Sequence, residues 1–273
     1  MSGFSVDWLD LREPADSRAR DASLLTQAKA WLLKGPEPIV VDLGAGTGST
    51  FRAFANSGVS QSGPYSWRLI DQDTKLLAEA RRRHGSCQSL ETFELDLANT
   101  YGLPLTNARL VTASALFDLV SAPFIDSLAT ALQTHCRQQP LGLYAALIYD
   151  GNTQWTPAHP LDESVLAAFN RDQLRNKGFG PSLGPGACDY LELRLMEAGF
   201  SVSHAESPWI LDSADKALII ELIEGIAAAV DHDPSLESGS LREWRTFRQA
   251  NASQGGCIVG HRDLLALPPI PGD

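Results

Sequence analysis

Residues 38–48 read Pro-Ile-Val-Val-Asp-Leu-Gly-Ala-Gly-Thr-Gly, and this stretch decides the fold class. Its first half is apolar and β-branched, which is typical of a strand that is buried on both faces of a parallel sheet. Gly44, Gly46 and Gly48 follow, and their missing β-carbons let the backbone of a tight turn approach a ligand. Residues 49–56 then predict a helix whose first N–H groups point at that turn. The sequence therefore predicts a strand, a ligand-binding loop and a helix in succession.

Strands and helices alternate along most of the chain. Apolar runs bounded by turn residues predict further strands at 67–71, 91–97, 110–114, 143–149, 200–207 and 257–267. Helical periodicity predicts helices at 16–34, 75–83, 117–139, 190–198, 212–230 and 240–248. Because parallel neighbours need crossover connections, this order predicts an α/β fold. The expected architecture is a doubly wound, Rossmann-like and mostly parallel sheet with helices on both faces.

The domain organisation is expected to be simple, with residues 1–273 forming a single domain. Residues 1–36 are expected to form an N-terminal helical segment. The alternation breaks at residues 151–187, which are rich in glycine and proline and too long for a plain connection. Because ligands bind outside the carboxyl ends of parallel strands, this insertion is expected to be a lid or a substrate loop.

The composition disfavours one class of partner. The chain has 22 Lys and Arg against 33 Asp and Glu, a formal charge of −11. A protein that neutralises nucleic-acid phosphates needs a basic face, so no nucleic-acid partner is expected. Hydrophobic residues make up 44% and charged residues 20% of the chain, which is typical of a packed globular protein.

Neither a membrane span nor a metal site is expected. The most apolar window, residues 217–230, is too short to span a bilayer and contains Glu221 and Glu224. The first ten residues lack a basic and apolar leader, so a cytoplasmic location is expected. The four cysteines lie far apart and lack the spacing of metal ligands.

Two acids beside the glycines indicate the kind of ligand. Asp71 ends the next predicted strand, where a carboxylate can accept the hydroxyls of a ribose diol, although it also fits a helix cap. Asp42 precedes the glycines, where its charge would repel a pyrophosphate but suits a ligand with an ammonium group. S-adenosylmethionine carries an ammonium, a sulfonium, a ribose and an adenine, and it has no phosphate.

The chain resembles the class I S-adenosylmethionine-dependent methyltransferases between residues 39 and 149. Residues 40–48 are similar to the first motif of that family, residues 69–71 to its ribose-binding acid, and residues 93–97 to its third-strand motif. Residues 113–116 stand where the family's fourth strand lines the sulfonium and the substrate. The resemblance implies a sheet of seven strands, the last one antiparallel, and S-adenosylmethionine as the cofactor.

The resemblance also implies which residues bind the cofactor. They lie in or next to the four similar stretches and are Asp42, Gly44, Ala45, Gly46, Gly48, Asp71, Gln72, Asp96, Leu97 and Ser114. By this likeness Asp71 holds the ribose and Asp96 the adenine amino group. Asp96 also fits a solvent-facing turn, and both interpretations stay open.

Candidate catalytic residues follow the fourth and fifth strands. Asp118 can orient or deprotonate a substrate, and it can equally cap a helix. Tyr149 ends the fifth strand at the same edge of the sheet. His159 in the insertion is a candidate general base because its unperturbed pKa lies near neutrality, or a structural loop residue. Arg18 and Arg20 can meet the carboxylate of the cofactor or an acidic substrate, or lie in solvent.

The predicted reaction is methyl transfer from S-adenosylmethionine to a small-molecule acceptor at oxygen, nitrogen or carbon. The fourth strand lacks the Asn/Asp-Pro-Pro-aromatic motif of family members that methylate adenine or glutamine amino groups. Residues 114–118 are more similar to members that act on small molecules. One alternative is an NAD(P)-dependent oxidoreductase, against which Ser49 counts because the dinucleotide pattern needs glycine there. The other is a catalytically inactive scaffold that binds the cofactor.

Overall fold

The computed structural model describes residues 4–55, 65–85, 89–98 and 102–269. Within them, eight strands form one sheet: β1 (Ile39–Leu43), β2 (Ser66–Asp71), β3 (Leu90–Glu94), β4 (Ala108–Ser114), β5 (Gly142–Thr156), β6 (Ser201–Glu206), β7 (Trp209–Leu211) and β8 (Gly256–Leu267). The helices are α1 (Val6–Ala19), α2 (Ala22–Leu32), α3 (Ser49–Ala55), α4 (Thr74–His84), α5 (Ala122–Cys136), α6 (Asp162–Gln173), α7 (Ala187–Glu197), α8 (Lys216–Val230) and α9 (Ser238–Asn251).

The sheet has the predicted doubly wound architecture. Its strand order is β3-β2-β1-β4-β5-β8-β6, with β7 also paired to β8. Strands β1 to β5 run parallel, and β8 runs antiparallel to β5, β6 and β7. The α/β class and the antiparallel last strand are therefore confirmed.

The described residues contain eight strands where seven were expected. The predicted strand 200–207 corresponds to β6, and an additional short strand, β7, follows it along β8. Pro208 separates them, and a proline has no N–H to donate to a ladder. The difference is thus one short additional strand on β8 and leaves the order of the other strands unchanged.

Two apolar layers cover the two faces of the sheet. Alternate residues of β1 point to opposite faces, so Val41 joins the layer under α5 and α7, while Val40 joins the layer under α2, α3 and α4. A third cluster packs α6, α8 and α9 around the outer halves of β5 and β8. The ends of β1, β2 and β4 remain free to build a site at the carboxyl edge.

The N-terminal segment is helical, but it is divided differently from the prediction. The pattern at 16–34 predicts one helix, whereas the structure has α1 and α2 with a break near Asp21. The carboxylate of Asp21 accepts a hydrogen bond from the N–H of Leu24 over 2.7 Å and so caps α2. The Asp21 side chain therefore marks the start of the second helix.

The segment 151–187 is only partly a loop. Residues 151–156 continue β5 and pair with β8, from Thr153 opposite Val259 to Thr156 opposite Gly256. Helix α6 follows, and residues 174–186 then return toward the carboxyl edge of β4. None of the helices within the described ranges is both long and apolar enough to cross a membrane.

Candidate functional site

A cavity of about 370 Å³ lies at the carboxyl ends of β1, β2 and β4. It falls in the size range of small-molecule sites. Its walls come from α1, the loop after β1, the end of β2, Leu97, the end of β4 and part of residues 174–186. Seven of the predicted cofactor residues line it: Gly44, Ala45, Gly46, Asp71, Gln72, Leu97 and Ser114. The sequence-based set therefore converges on one place.

The glycine loop takes a backbone conformation that side chains rarely adopt. Gly46 has φ +54°, and a β-carbon there would lie 3.2 Å from Cδ1 of Leu9 on α1. Gly48 has φ +87°, and a β-carbon there would lie 3.3 Å from the His84 ring. Gly48 packs on the protein and does not line the cavity. The loop is thus held tightly on its protein side while Gly44 and Gly46 face the cavity.

Asp71 joins the glycine loop to the end of β2. Its Oδ2 accepts the N–H of Gly46 over 2.9 Å, and its Oδ1 accepts the N–H of Asp73 over 2.9 Å. Burial raises the pKa of the Asp71 carboxyl above its usual value. The cap of α4 is Asp73, which accepts the N–H of Lys75 over 2.8 Å. Asp71 is therefore free of the helix-cap role and faces the cavity.

Asp42 lies beneath the loop and does not line the cavity. Only 1% of its surface is exposed, and its Oδ1 accepts the Thr112 hydroxyl over 2.7 Å. Its Oδ2 has no hydrogen-bond partner in the described part of the chain. Burial raises the pKa of Asp42 to about 7, although the Arg20 charge opposes that shift. Asp42 is thus placed to support the loop from below.

Arg20 contacts the cavity wall, and its charge acts on Asp42 without a hydrogen bond between the two side chains in the described part of the chain. It is 7% exposed, and its Nη2 donates to Oγ of Ser114 over 2.9 Å. Arg18 differs, because it is exposed and pairs with Asp215 at 2.7 Å. Of the two arginines that the sequence offered as partners of the cofactor carboxylate, only Arg20 contacts a residue of the wall.

Asp96 lies outside the cavity. It is exposed, and its Oδ1 accepts the N–H of Ala98 over 2.9 Å, which is the geometry of a turn residue. Its neighbour Leu97 is buried and lines the cavity. The third-strand motif therefore reaches the site through Leu97.

The three predicted catalytic side chains do not line the cavity either. Asp118 is 8% exposed, and one of its carboxyl oxygens has no hydrogen-bond partner among the described residues. Burial raises the pKa of Asp118 to about 6. The Tyr149 hydroxyl donates to Oδ1 of Asn170 over 2.9 Å, and burial raises the Tyr149 pKa. His159 packs against Phe247 at the start of α6, with ring centroids 4.8 Å apart.

Asp118 nevertheless lies near the site. The charges of Arg12 and Lys177 act on its carboxyl group, and both of these side chains line the cavity. Tyr149 and His159 make contacts that belong to the packing around α6. The three residues therefore do not form one catalytic cluster.

Two parts of the wall escaped the sequence analysis. Phe4, Leu9, Arg12 and Asp16 come from the beginning of the chain and from α1, whose apolar residues form no continuous stripe that would reveal a helix there. Asn176, Lys177 and Phe179 come from the insertion. The insertion was expected to be a lid or a substrate loop, and its Phe179 was a candidate for an apolar pocket or for the core, but Asn176 and Lys177 were not anticipated. Within the described ranges, no cluster of three or more His, Cys, Asp or Glu side chains could hold a metal ion.

No protein-family model and no curated protein matches this sequence. Solved structures do share its fold. A cyclopropane-fatty-acyl-phospholipid synthase-like protein from Lactobacillus casei is 13% identical, with a TM-score of 0.55 over 98% of this chain and 95% of the other. The YcgJ protein from Bacillus subtilis is 13% identical, with a TM-score of 0.52 over 91% and 98% of the two chains.

The cyclopropane synthase MmaA2 from Mycobacterium tuberculosis is similar to the same extent. It is 11% identical, with a TM-score of 0.50 over 97% of this chain and 94% of its own. At such low identity the likeness establishes a common fold. A common fold does not assign a chemistry to this chain.

Proposed function

We propose that the protein is an S-adenosylmethionine-dependent methyltransferase that acts on a small-molecule acceptor by in-line displacement. One observation carries the proposal: Gly46 and Asp71 line the same cavity and are hydrogen-bonded to each other. A backbone that a ligand can approach thus lies beside a carboxylate that can accept the hydroxyls of a ribose. The resemblance of residues 40–48 to the first motif of the class I methyltransferases supports this assignment.

The residues of the wall fit the parts of the cofactor. We assign Asp71 and Gln72 to the ribose, Leu97 and Leu76 to an apolar wall for the adenine, and Ser114 to the sulfonium side. A β-carbon at Gly46 would lie 3.2 Å from Cδ1 of Leu9, which also lines the cavity, so a side chain there would crowd the cavity wall. When bound, S-adenosylmethionine supplies an electrophilic methyl group. The protein's contribution is to hold the acceptor in line with it and to exclude water.

The acceptor is proposed to be a small molecule because the cavity is walled on several sides. Helix α1 covers the glycine loop, and residues 176–179 close the side near β4. A macromolecular substrate would need one of these walls to move. We assign Asp118 a supporting place behind the acceptor, and Tyr149 and His159 structural places around α6.

The test is calorimetric titration of the full chain with S-adenosylmethionine, S-adenosylhomocysteine and NADH. Micromolar affinity for the two sulfur ligands and no heat with NADH is the expected result. Binding of NADH alone would favour an oxidoreductase, and binding of none of the three would overturn the proposal. Retained cofactor binding without turnover over a broad acceptor panel would favour the inactive scaffold.

A matched pair of glycine variants shows whether binding occurs at this loop. Gly46→Ala adds a β-carbon at positive φ close to Leu9, so it is expected to abolish measurable binding of S-adenosylhomocysteine. Gly225→Ala on α8 adds the same atom in open space and serves as the control. Equal affinities for the two variants would place the ligand elsewhere.

A further inference from the structure

The cavity has a side near β4 that the assigned cofactor residues do not occupy. We call it the β4 side, and its side chains are Arg12, Asp16, Leu119, Asn176, Lys177 and Phe179. If the cofactor lies along the glycine loop with its sulfonium at Ser114, the acceptor meets these side chains. The free hydrogen-bond donors and acceptors of these side chains therefore indicate the chemistry of the methyl acceptor.

Arg12 is fixed from behind and keeps a free edge. Its Nε and Nη2 donate to the two carboxylate oxygens of Asp16 over 2.9 and 3.1 Å. Its guanidinium also stacks on the Trp209 ring, 4.9 Å from the centroid. No hydrogen bond to a described residue uses Nη1, and this atom is not among the buried polar atoms that lack a partner. The free edge is thus accessible where Arg12 lines the cavity.

Lys177 and Asn176 also have donors to spare. The ammonium of Lys177 donates to Asp172 over 2.7 Å, which leaves two of its three N–H groups. The Oδ1 of Asn176 accepts the N–H groups of Gly178 and Gly180, and its amide NH₂ has no partner among the described residues. Both residues line the cavity.

The carboxylates on the β4 side, which are hydrogen-bond acceptors, already have partners in the protein. Asp16 receives two hydrogen bonds from Arg12 and a third from Nε1 of Trp209 over 2.9 Å. Asp172 is held by Lys177 and by Arg175. Asp118 is buried behind the wall and does not line the cavity. The hydrogen-bonding groups that remain free on the β4 side are therefore mainly N–H donors. They fit a ligand group that has several hydrogen-bond acceptor atoms.

The described lining also lacks a residue suited to remove a proton. It contains no His, Cys, Tyr or Glu, and its acids on the β4 side are limited to Asp16, which Arg12 holds with two hydrogen bonds. The other lining acids, Asp71 and Asp73, lie at the end of β2 and the start of α4. A nucleophile that carries no proton at neutral pH suits such a site.

We propose that the methyl acceptor is a carboxylate, held by Arg12 and Lys177 and methylated on oxygen to give a neutral ester. This inference rests on the proposed function. In the reaction a carboxylate oxygen forms a bond to the methyl carbon as the bond from sulfur to that carbon breaks. The electron pair of the broken bond stays on sulfur, so the sulfonium becomes a neutral thioether and no proton is released.

The rest of the acceptor is apolar or aromatic. Leu119 and Phe179 line the β4 side, and Phe179 is fixed edge-on against Phe124 with ring centroids 5.3 Å apart. These two side chains favour an aromatic ring or an alkyl chain next to the carboxylate of the ligand. Small aromatic and medium-chain aliphatic acids are therefore the suitable probes.

The first experiment uses NMR titration to measure how tightly small acids bind to the complex of the protein with S-adenosylhomocysteine. The affinity for benzoate is compared with that for benzamide, and the affinity for octanoate with that for octanamide. Each amide has nearly the same shape as its acid and lacks the charge. At least one acid is expected to bind about tenfold or more tightly than its amide, because the hydrogen bonds to it are charge-assisted. Equal or weaker binding of both acids would overturn the inference.

The second experiment measures ester formation with S-adenosylmethionine that is labelled on its methyl group. Treatment with base hydrolyses a methyl ester, and the label released as methanol is counted. Lys177→Met and Arg12→Gln are expected to raise the KM for the acid by tenfold to a hundredfold and to change the Kd of S-adenosylhomocysteine by less than threefold. Lys177→Arg is expected to restore most of the loss. No label in ester form with any of the acids that bind would overturn the inference.

Two exposed arginines provide matched controls. Arg175→Gln removes the other partner of Asp172, and Arg18→Gln removes a charge from the same helix as Arg12. Neither side chain lines the cavity, so neither variant is expected to alter the KM. If Lys177→Met and Arg12→Gln instead weaken the binding of S-adenosylhomocysteine and of the acid equally, these cations hold the cofactor. The inference then fails while the proposed function stands. Absence of cofactor binding in the wild-type chain would be failure of the proposed function itself.

Discussion

The backbone N–H of Gly46 donates to Oδ2 of Asp71 over 2.9 Å, although the two residues are 25 positions apart in the chain. This bond ties the loop after β1 to the end of β2. The same carboxylate orders the turn after β2 through the N–H of Asp73. Asp71 therefore shapes both walls of the cavity as well as facing into it.

The first prediction concerns Asp71→Asn. The amide keeps the shape of the carboxylate but loses the charge, and one of its two oxygens is replaced by a donor. We expect the affinity for S-adenosylhomocysteine to fall tenfold to a hundredfold, about 1.4–2.7 kcal/mol, because hydrogen bonds to a charged group are lost. Calorimetry measures this directly.

Asp96→Asn is the matched control for that experiment. Asp96 is exposed and bonds within its own turn, so its amide variant is expected to bind S-adenosylhomocysteine within twofold of the wild type. Equal losses in the two variants would show that Asp96 reaches the adenine after all. No loss in Asp71→Asn would contradict the ribose assignment.

The sequence predicted the fold well because its signals are local. Buried parallel strands are continuous apolar runs, and crossover connections restrict their order, so β1 to β5 were within reach. The antiparallel direction of β8 was expected only from the resemblance to the class I methyltransferases. The break between β6 and β7 depends on where one proline falls in a pairing register. The extension of β5 to Thr156 depends on its pairing with β8, which lies 100 residues further along the chain.

The site was predictable where one motif contains it and unpredictable where distant segments meet. Gly44, Gly46 and Asp71 belong to motifs with fixed spacing. Arg12 and Lys177 come from segments separated by most of the domain, and nothing in the local sequence brings them together. The prediction of Asp42 as a ligand partner did not anticipate burial, because an acid on a strand can point to the edge or into the core.

The second prediction concerns the pH dependence of stability. Burial raises the pKa of Asp42 from 3.8 to about 7, so between these values the folded protein binds a proton that the unfolded chain has lost. The free energy of unfolding therefore falls as pH rises through this window. Asp42→Asn removes the effect. We expect the stability of the variant relative to wild type to increase by on the order of 2 kcal/mol between pH 5 and pH 8.

Chemical denaturation at several pH values checks this expectation. Asp118 also has a raised pKa, about 6, but it is present in both proteins, so its contribution cancels in the difference. A stability difference that does not change with pH would show that Asp42 stays ionised throughout.

The third prediction concerns Arg20 and Asp42 as a coupled pair. Arg20→Met removes the cation whose charge acts on the buried Asp42 carboxylate, so at pH 8 we expect a loss of about 1–2 kcal/mol in unfolding free energy. Adding Asp42→Asn removes the uncompensated charge. The double variant is therefore expected to be more stable than the sum of the two single effects by about 1 kcal/mol or more.

The coupling should depend on pH. At pH 5 most of Asp42 is protonated, because this lies below its pKa, and the interaction with Arg20 is then weak. A double-mutant cycle at pH 5 and pH 8 separates this electrostatic coupling from loss of packing. An equal coupling energy at both values would mean that the pair interacts through shape alone.

The fourth prediction concerns α1 as a cover of the glycine loop. Glu13 accepts two hydrogen bonds from Arg52, both over 2.5 Å, and Arg52 also donates to the carbonyl oxygen of Thr47 over 2.6 Å. Asp10 pairs with Arg83 on α4 at 2.6 Å. Ion pairs therefore fasten α1 to the elements around the loop, near the point where a β-carbon at Gly46 would crowd Leu9.

Because bound ligand would lie beneath α1, loosening this helix should shorten the time that the ligand stays bound. Glu13→Gln is expected to speed dissociation of S-adenosylhomocysteine threefold to tenfold, about 0.7–1.4 kcal/mol, as befits a partly exposed pair. Stopped-flow displacement measures the rate. Arg18→Gln, which breaks the pair with Asp215 at the other end of α1, is the control and should leave the rate unchanged.

Salt provides an independent test of the same helix. Screening weakens exposed ion pairs, so raising the ionic strength from 0.05 to 0.5 M is expected to speed dissociation from the wild type more than from Glu13→Gln. The variant has already lost the pair that salt would weaken. Equal salt responses would show that α1 is fastened by its apolar contacts, and that the cavity admits its ligand without movement of this helix.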